Sequence, residues 1–101
     1  MEPQSETPRE PNTIFVGKKP TMAYVLAGLT LIQNGSEGVT IKARGKAISR
    51  AVDVAQILTK RFATDIKVKT ISLNTEQVKS NVTDGMSNVS SIEIKLHRPA
   101  T

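Results

Sequence analysis

Residues 13–53 read TIFVGKKPTMAYVLAGLTLIQNGSEGVTIKARGKAISRAVD, and the fold turns on how this stretch divides. Thr13 to Val16 is a short β-branched and aromatic run closed by Gly17, which reads as a strand. Pro20 suits the first turn of a helix, where its missing N–H costs nothing, and Met22, Val25, Leu26, Leu29 and Ile32 then recur at helical spacing to about Gln33. Asn34-Gly35 is a helix stop, after which Val39, Ile41 and Ala43 alternate with Thr40 and Lys42 as a second strand. A second helix follows over about Ala47 to Phe62, with Ile48, Ala51, Val52, Ala55, Leu58 and Phe62 on one stripe and Val54 and Ile57 off it. Apolar residues on more than one side of a helix leave two readings open, a subunit interface or deeper burial within the monomer.

Further along, Ile66, Val68 and Thr70 alternate with Lys67 and Lys69, and Ile71 and Leu73 then take the opposite phase. Such a slip predicts a β-bulge near Thr70. Ile92, Ile94 and Leu96 alternate with Glu93, Lys95 and His97 in a last strand that ends before Pro99. The polar stretch Asn74 to Ser91 contains Asp84-Gly85, a strong hairpin signal, so it is expected to form a long β-arm rather than a loop. The fold class is therefore α+β, a βαβαββ two-layer sandwich with a protruding hairpin. One domain over 13–98 is expected, between a flexible proline-rich tail at 1–12 and a short C-terminal tail at 99–101.

The chain has 101 residues, with 14 Lys and Arg against 9 Asp and Glu. The first 13 residues contain Glu2, Glu6, Glu10 and Arg9, a net −2, which leaves +7 on the rest. That excess favours a polyanionic partner, while a charged face kept for solubility is the alternative that charge alone leaves standing. There is no cysteine, which excludes disulfide frameworks and thiolate chemistry. The apolar run Ala23 to Ile32 is too short to span a membrane and the N-terminus lacks a leader-like pattern, so a cytoplasmic protein is expected. The Asn-x-Ser/Thr triplets at Asn34, Asn81 and Asn88 are read as chance.

If the first two strands are parallel neighbours, both connecting loops leave the same sheet edge. Lys18 and Lys19 then sit at the N-terminus of the first helix and Arg44 and Lys46 at that of the second, where free N–H groups and the helix dipole favour an anion. Each loop is a candidate phosphate seat, and Arg50, one turn into the second helix, extends it. Gly17 and Gly45 either let backbone approach a phosphate or serve turn geometry alone.

Competing chemistry is weak. Gly38 to Lys46 lacks the glycine of a phosphate-binding loop where Thr40 stands, and Ala47 replaces its hydroxyl residue. His97 has no neighbouring ligand set, Asp53 has no second carboxylate, and no cofactor, metal or catalytic constellation is expected. The aromatics Phe15, Tyr24 and Phe62 all fall in apolar patterns, so no base-stacking platform is visible and duplex backbone binding is favoured.

Ile14-Phe15-Val16-Gly17-Lys18-Lys19-Pro20, Tyr24-Val25-Leu26-Ala27, Ile41 to Ser49 and Ala51-Val52-Asp53 together resemble the Alba family of archaeal chromatin proteins over about residues 13 to 98. The resemblance implies the fold of the C-terminal domain of the third translation initiation factor, a homodimer, and sequence-independent binding to duplex DNA and also RNA. It implies that Lys18 and Lys19 contact the nucleic-acid backbone with Arg44 and Lys46 in support. It also implies that Lys18 is acetylated and deacetylated by partner enzymes to tune binding, and that Phe62 joins dimer to dimer along DNA. The family's arms often carry arginines near the tip; here Met86 and Asn88 stand there, with Lys79 the arm's one cation. The expected function is to coat and compact chromosomal DNA. The rivals are a ribonucleoprotein component and a dimerisation module whose charge serves solubility, with an enzyme disfavoured.

Overall fold

The computed structural model describes residues 11–79 and 85–99. Its elements run β1 (Thr13–Phe15), α1 (Thr21–Gln33), β2 (Gly38–Arg44), α2 (Ile48–Ile57), β3 (Lys67–Lys79) and β4 (Met86–His97). This is the βαβαββ order read from the sequence. The four strands form one sheet in the order β1-β2-β4-β3, with β1 parallel to β2 and the other neighbours antiparallel. The parallel pair is extended by the Val16 N–H donating to the Lys42 carbonyl at 2.8 Å.

Strand alternation decides the two faces. Ile14, Val39, Ile41, Ala43, Ile92, Ile94 and Leu96 are buried beneath the helices, while Lys42, Glu93 and Lys95 take the opposite phase. The helices contribute Tyr24, Val25, Ile32, Ala51, Val54, Ala55 and Leu58 to the same core. Gly28 lets α1 come close to the chain beyond α2, because a Cβ there would lie 2.7 Å from the fully buried Leu58 Cδ1.

Both helical stripes differ in detail from the expected ones. On α1 the inward residues are Tyr24, Val25, Gly28 and Ile32, whereas Met22 and Leu26 are exposed. On the second helix Val54 is core, while Val52 and Phe62 are exposed. That helix is also not uniform. It opens with a 3-10 turn over Gly45–Ala47 and closes with a π turn over Leu58–Phe62. The π turn is sealed by the Ala63 N–H donating to the Leu58 carbonyl at 2.7 Å. The wider turn buries Leu58 and Ala63 together and leaves Phe62 outside, a packing solution that apolar periodicity cannot register.

β3 and β4 stay paired from Lys67↔His97 to Lys79↔Met86, so the arm is a continuous ribbon, with the expected irregularity between Val68 and Thr70. At about 3.3 Å per residue, thirteen residues of β3 span about 43 Å. Asp84 of the expected Asp84-Gly85 turn, and residues 1–10 and 100–101 of the expected tails, lie outside the described residues.

Candidate nucleic-acid interface

Because β1 and β2 are adjacent and parallel, the condition set in the sequence reading is met and the loops that follow them leave the same sheet edge. They enclose a hollow of about 400 Å³ lined by Val16, Gly17, Lys18, Arg44, Lys46, Ala47 and Arg50. Four of the six cations singled out in the sequence thus converge on one concavity. Lys19 is exposed beside it. Lys79 is remote in sequence, at the far end of β3.

The loop after β1 is held from within. The Tyr24 hydroxyl oxygen accepts the backbone N–H of Gly17 at 2.9 Å and of Lys19 at 3.0 Å. Those two donors, which precede α1, are therefore already engaged within the loop. Arg50 donates from its guanidinium to the Gly17 carbonyl, tying α2 to the same loop. Arg50 is thus a fastening of the site as well as one of its charges. What the loop presents outward is side chain: Lys18 and Lys19 are exposed and have no ion-pair partner among the described residues.

The loop after β2 is different. Gly45 has φ +61°, in the left-handed region that favours glycine. Turn geometry therefore accounts for it, whereas Gly17 has no such requirement. Arg44 donates to the Glu76 carboxylate of β3 at 3.0 Å, an exposed ion pair that couples the hollow to the base of the arm. Nothing in the sequence separation of thirty-two residues signalled this pair. Neither α1 nor the helical segment opening at Gly45 carries an acidic residue in its first turn or a side-chain cap. The positive ends of their dipoles are left uncompensated.

A second, larger concavity lies beside the first, on the sheet face away from the helices. It measures about 590 Å³, and its lining includes Phe15, Lys42, Arg44, Asn74, Glu76, Ser91 and Glu93. Phe15 is therefore not a core residue, and its ring lies 5.8 Å from the Lys42 ammonium. Phe62 is 51% exposed and is not core either. Of the three aromatics, only Tyr24 is buried.

A βαβαββ sheet-and-helix layer, with basic loops at the carboxyl ends of two parallel strands and a long paired arm, defines a small α+β domain class built around a cationic edge. The sequence profile of the Alba family matches residues 12–75, and the chain belongs to that family. It is 58% identical over 85 residues to the DNA/RNA-binding protein Alba 1 of Archaeoglobus fulgidus, covering 84% of this chain and 93% of that protein. It is 53% identical to the DNA/RNA-binding protein Alba of Methanocella arvoryzae, covering 89% and 93%. The solved structure of Alba from Thermoplasma volcanium superposes with a TM-score of 0.81 at 55% identity, covering 85% of this chain and 99% of that one.

Proposed function

We propose that the protein is a non-enzymatic, sequence-independent nucleic-acid-binding protein that coats and compacts duplex DNA in the cytoplasm of its host. The observation that carries this reading is the convergence of Lys18, Arg44, Lys46 and Arg50 on one hollow, with Lys19 beside it. Cations held by a sheet edge replace condensed counterions on phosphates without reading bases. The relatives' names, which specify both DNA and RNA, support nucleic acid as the partner class and keep the alternative of an RNA-binding ribonucleoprotein component.

A homodimer completes the picture. Val68, Ile71 and Leu73 pair in register with Leu96, Ile94 and Ile92 and so share the core-side phase, yet they are 46%, 58% and 74% exposed. β3 is the edge strand that the helices fail to cover, and a second copy of the chain would bury it. A two-fold axis then doubles the cations on offer. Lys18, exposed at the tip of a braced loop, is the residue whose acetylation and deacetylation would tune affinity by removing and restoring one charge.

The test is a salt titration on one duplex. Replacing Lys18 and Lys19 by Ala should weaken binding to all sequences alike and lower the log–log salt slope by roughly 1 to 2 units, since each lost phosphate contact removes about 0.9. A folded double mutant with an unchanged slope would reject this phosphate seat.

A further inference from the structure

The concavity on the open sheet face differs in composition from the basic hollow. Its two carboxylates, Glu76 and Glu93, are balanced by Lys42 and Arg44, with Glu76 held by Arg44, and it adds the Asn74 amide, the Ser91 hydroxyl and the half-buried ring of Phe15. Carboxylates repel a phosphate but accept hydrogen bonds from base amino groups, and an aromatic ring offers a stacking surface to any base. Its volume of about 590 Å³ falls inside the roughly 300–1,000 Å³ range of small-ligand clefts. Gly17 and Arg44 line both concavities, so the cleft opens directly onto the basic hollow.

We propose that this cleft receives the unpaired base of a single-stranded nucleotide whose phosphate is held at the basic hollow. The inference rests on the phosphate reading of that hollow and adds a ligand that duplex binding does not use. A base locked in a duplex stack cannot enter a cleft between a sheet face and its arm, so the cleft is selective for strands with free bases. Phe15 supplies the stacking surface, and Lys42, already beside the ring, adds a cation next to it. The half-buried Glu93 lies 3.6 Å from the exposed Lys95, a separation loose enough to yield its carboxylate to a base amino group. Asn74 can donate or accept at the base edge. Bases with exocyclic amino groups are favoured.

The experiment uses the full-length protein and three probes: a short mixed-sequence oligoribonucleotide carrying one 2-aminopurine, its deoxy counterpart, and a blunt duplex. Wild-type protein should bind both single strands and quench the 2-aminopurine. Phe15→Leu should lose single-strand affinity by about fivefold or more, the lower bound for removing one base–aromatic stack, while duplex affinity moves by less than about twofold. The Asn74→Ala variant lies on the open face, changes no charge and should act the same way, which keeps the test decisive if Phe15→Leu fails to fold by circular dichroism. Comparison of the ribo and deoxy strands identifies which one supplies the nucleotide. Unchanged single-strand affinity in both variants, or a parallel loss on single strands and duplex, overturns the proposal. Wild-type protein that binds duplex but no single strand overturns it and leaves the duplex reading intact, whereas binding to neither overturns both.

Discussion

Tyr24 shows how a buried residue can shape an exposed loop from within the core. Its phenol oxygen accepts two backbone N–H groups from the loop, so Tyr24→Phe removes both bonds while keeping the ring in the core. The expected outcome is a loss of about 1 kcal/mol of stability and faster hydrogen exchange at the Gly17 and Lys19 amides. Unchanged exchange at those amides would show that the bonds are not formed in solution. Arg44 carries a second residue-level consequence, because Glu76 neutralises a cation that the hollow would otherwise offer. Glu76→Gln should steepen the salt dependence of duplex binding by up to about 0.9 units, from one further phosphate contact. Affinity should rise by up to about fivefold, since an exposed pair is worth about 0–1 kcal/mol. Weaker binding in that variant would mean that the pair positions Arg44 rather than restraining it.

At the scale of elements, the strands were more legible than the helices. Period-two alternation fixes which side of a strand faces the core, and the slip at Thr70 showed as a change of phase because a bulge shifts every later side chain. Helical stripes are wider, and a sixteen-residue stretch can pass through 3-10, α and π turns without disturbing the apolar count. That is why Phe62 was placed on the stripe with Leu58 although the π turn sends them apart. The candidate site divides in the same way. The convergence of the two loops follows from parallel neighbours in the sheet, whereas the Tyr24 bonds, the Arg50 fastening and the Arg44–Glu76 pair depend on side-chain directions that residue spacing does not encode. Phe62, exposed at the end of the π turn that follows α2, is proposed to pack against a neighbouring dimer. Phe62→Ala should leave the fold and the dimer intact and make DNA binding less cooperative. Equal cooperativity, read from the steepness of the binding isotherm, would remove the residue from any such contact.

For the molecule as a whole, the helix layer is one strand too narrow for its sheet. Burial therefore stops before β3 and leaves an exposed apolar edge of Val68, Ile71 and Leu73, the surface proposed above to meet a second copy. Leu73→Lys places a charge at the arm-side end of that edge, on its most exposed residue. Burying a leucine side chain is worth roughly 1.5–3 kcal/mol and a two-fold dimer loses two, so dissociation should become roughly a hundredfold to ten-thousandfold easier by analytical ultracentrifugation, with the monomer's circular dichroism preserved. An unaltered dimer would move the interface elsewhere.

The bracing of the loop after β1 has a consequence for how quickly the protein could be switched. Tyr24 and Arg50 grip only backbone atoms of that loop, and the Lys18 side chain takes no part in the grip. A modifying enzyme would therefore alter the charge on a mounting whose shape stays put. Release from DNA and return to it would need no refolding step, and the pace of the cycle would be set by enzyme turnover and ion exchange alone.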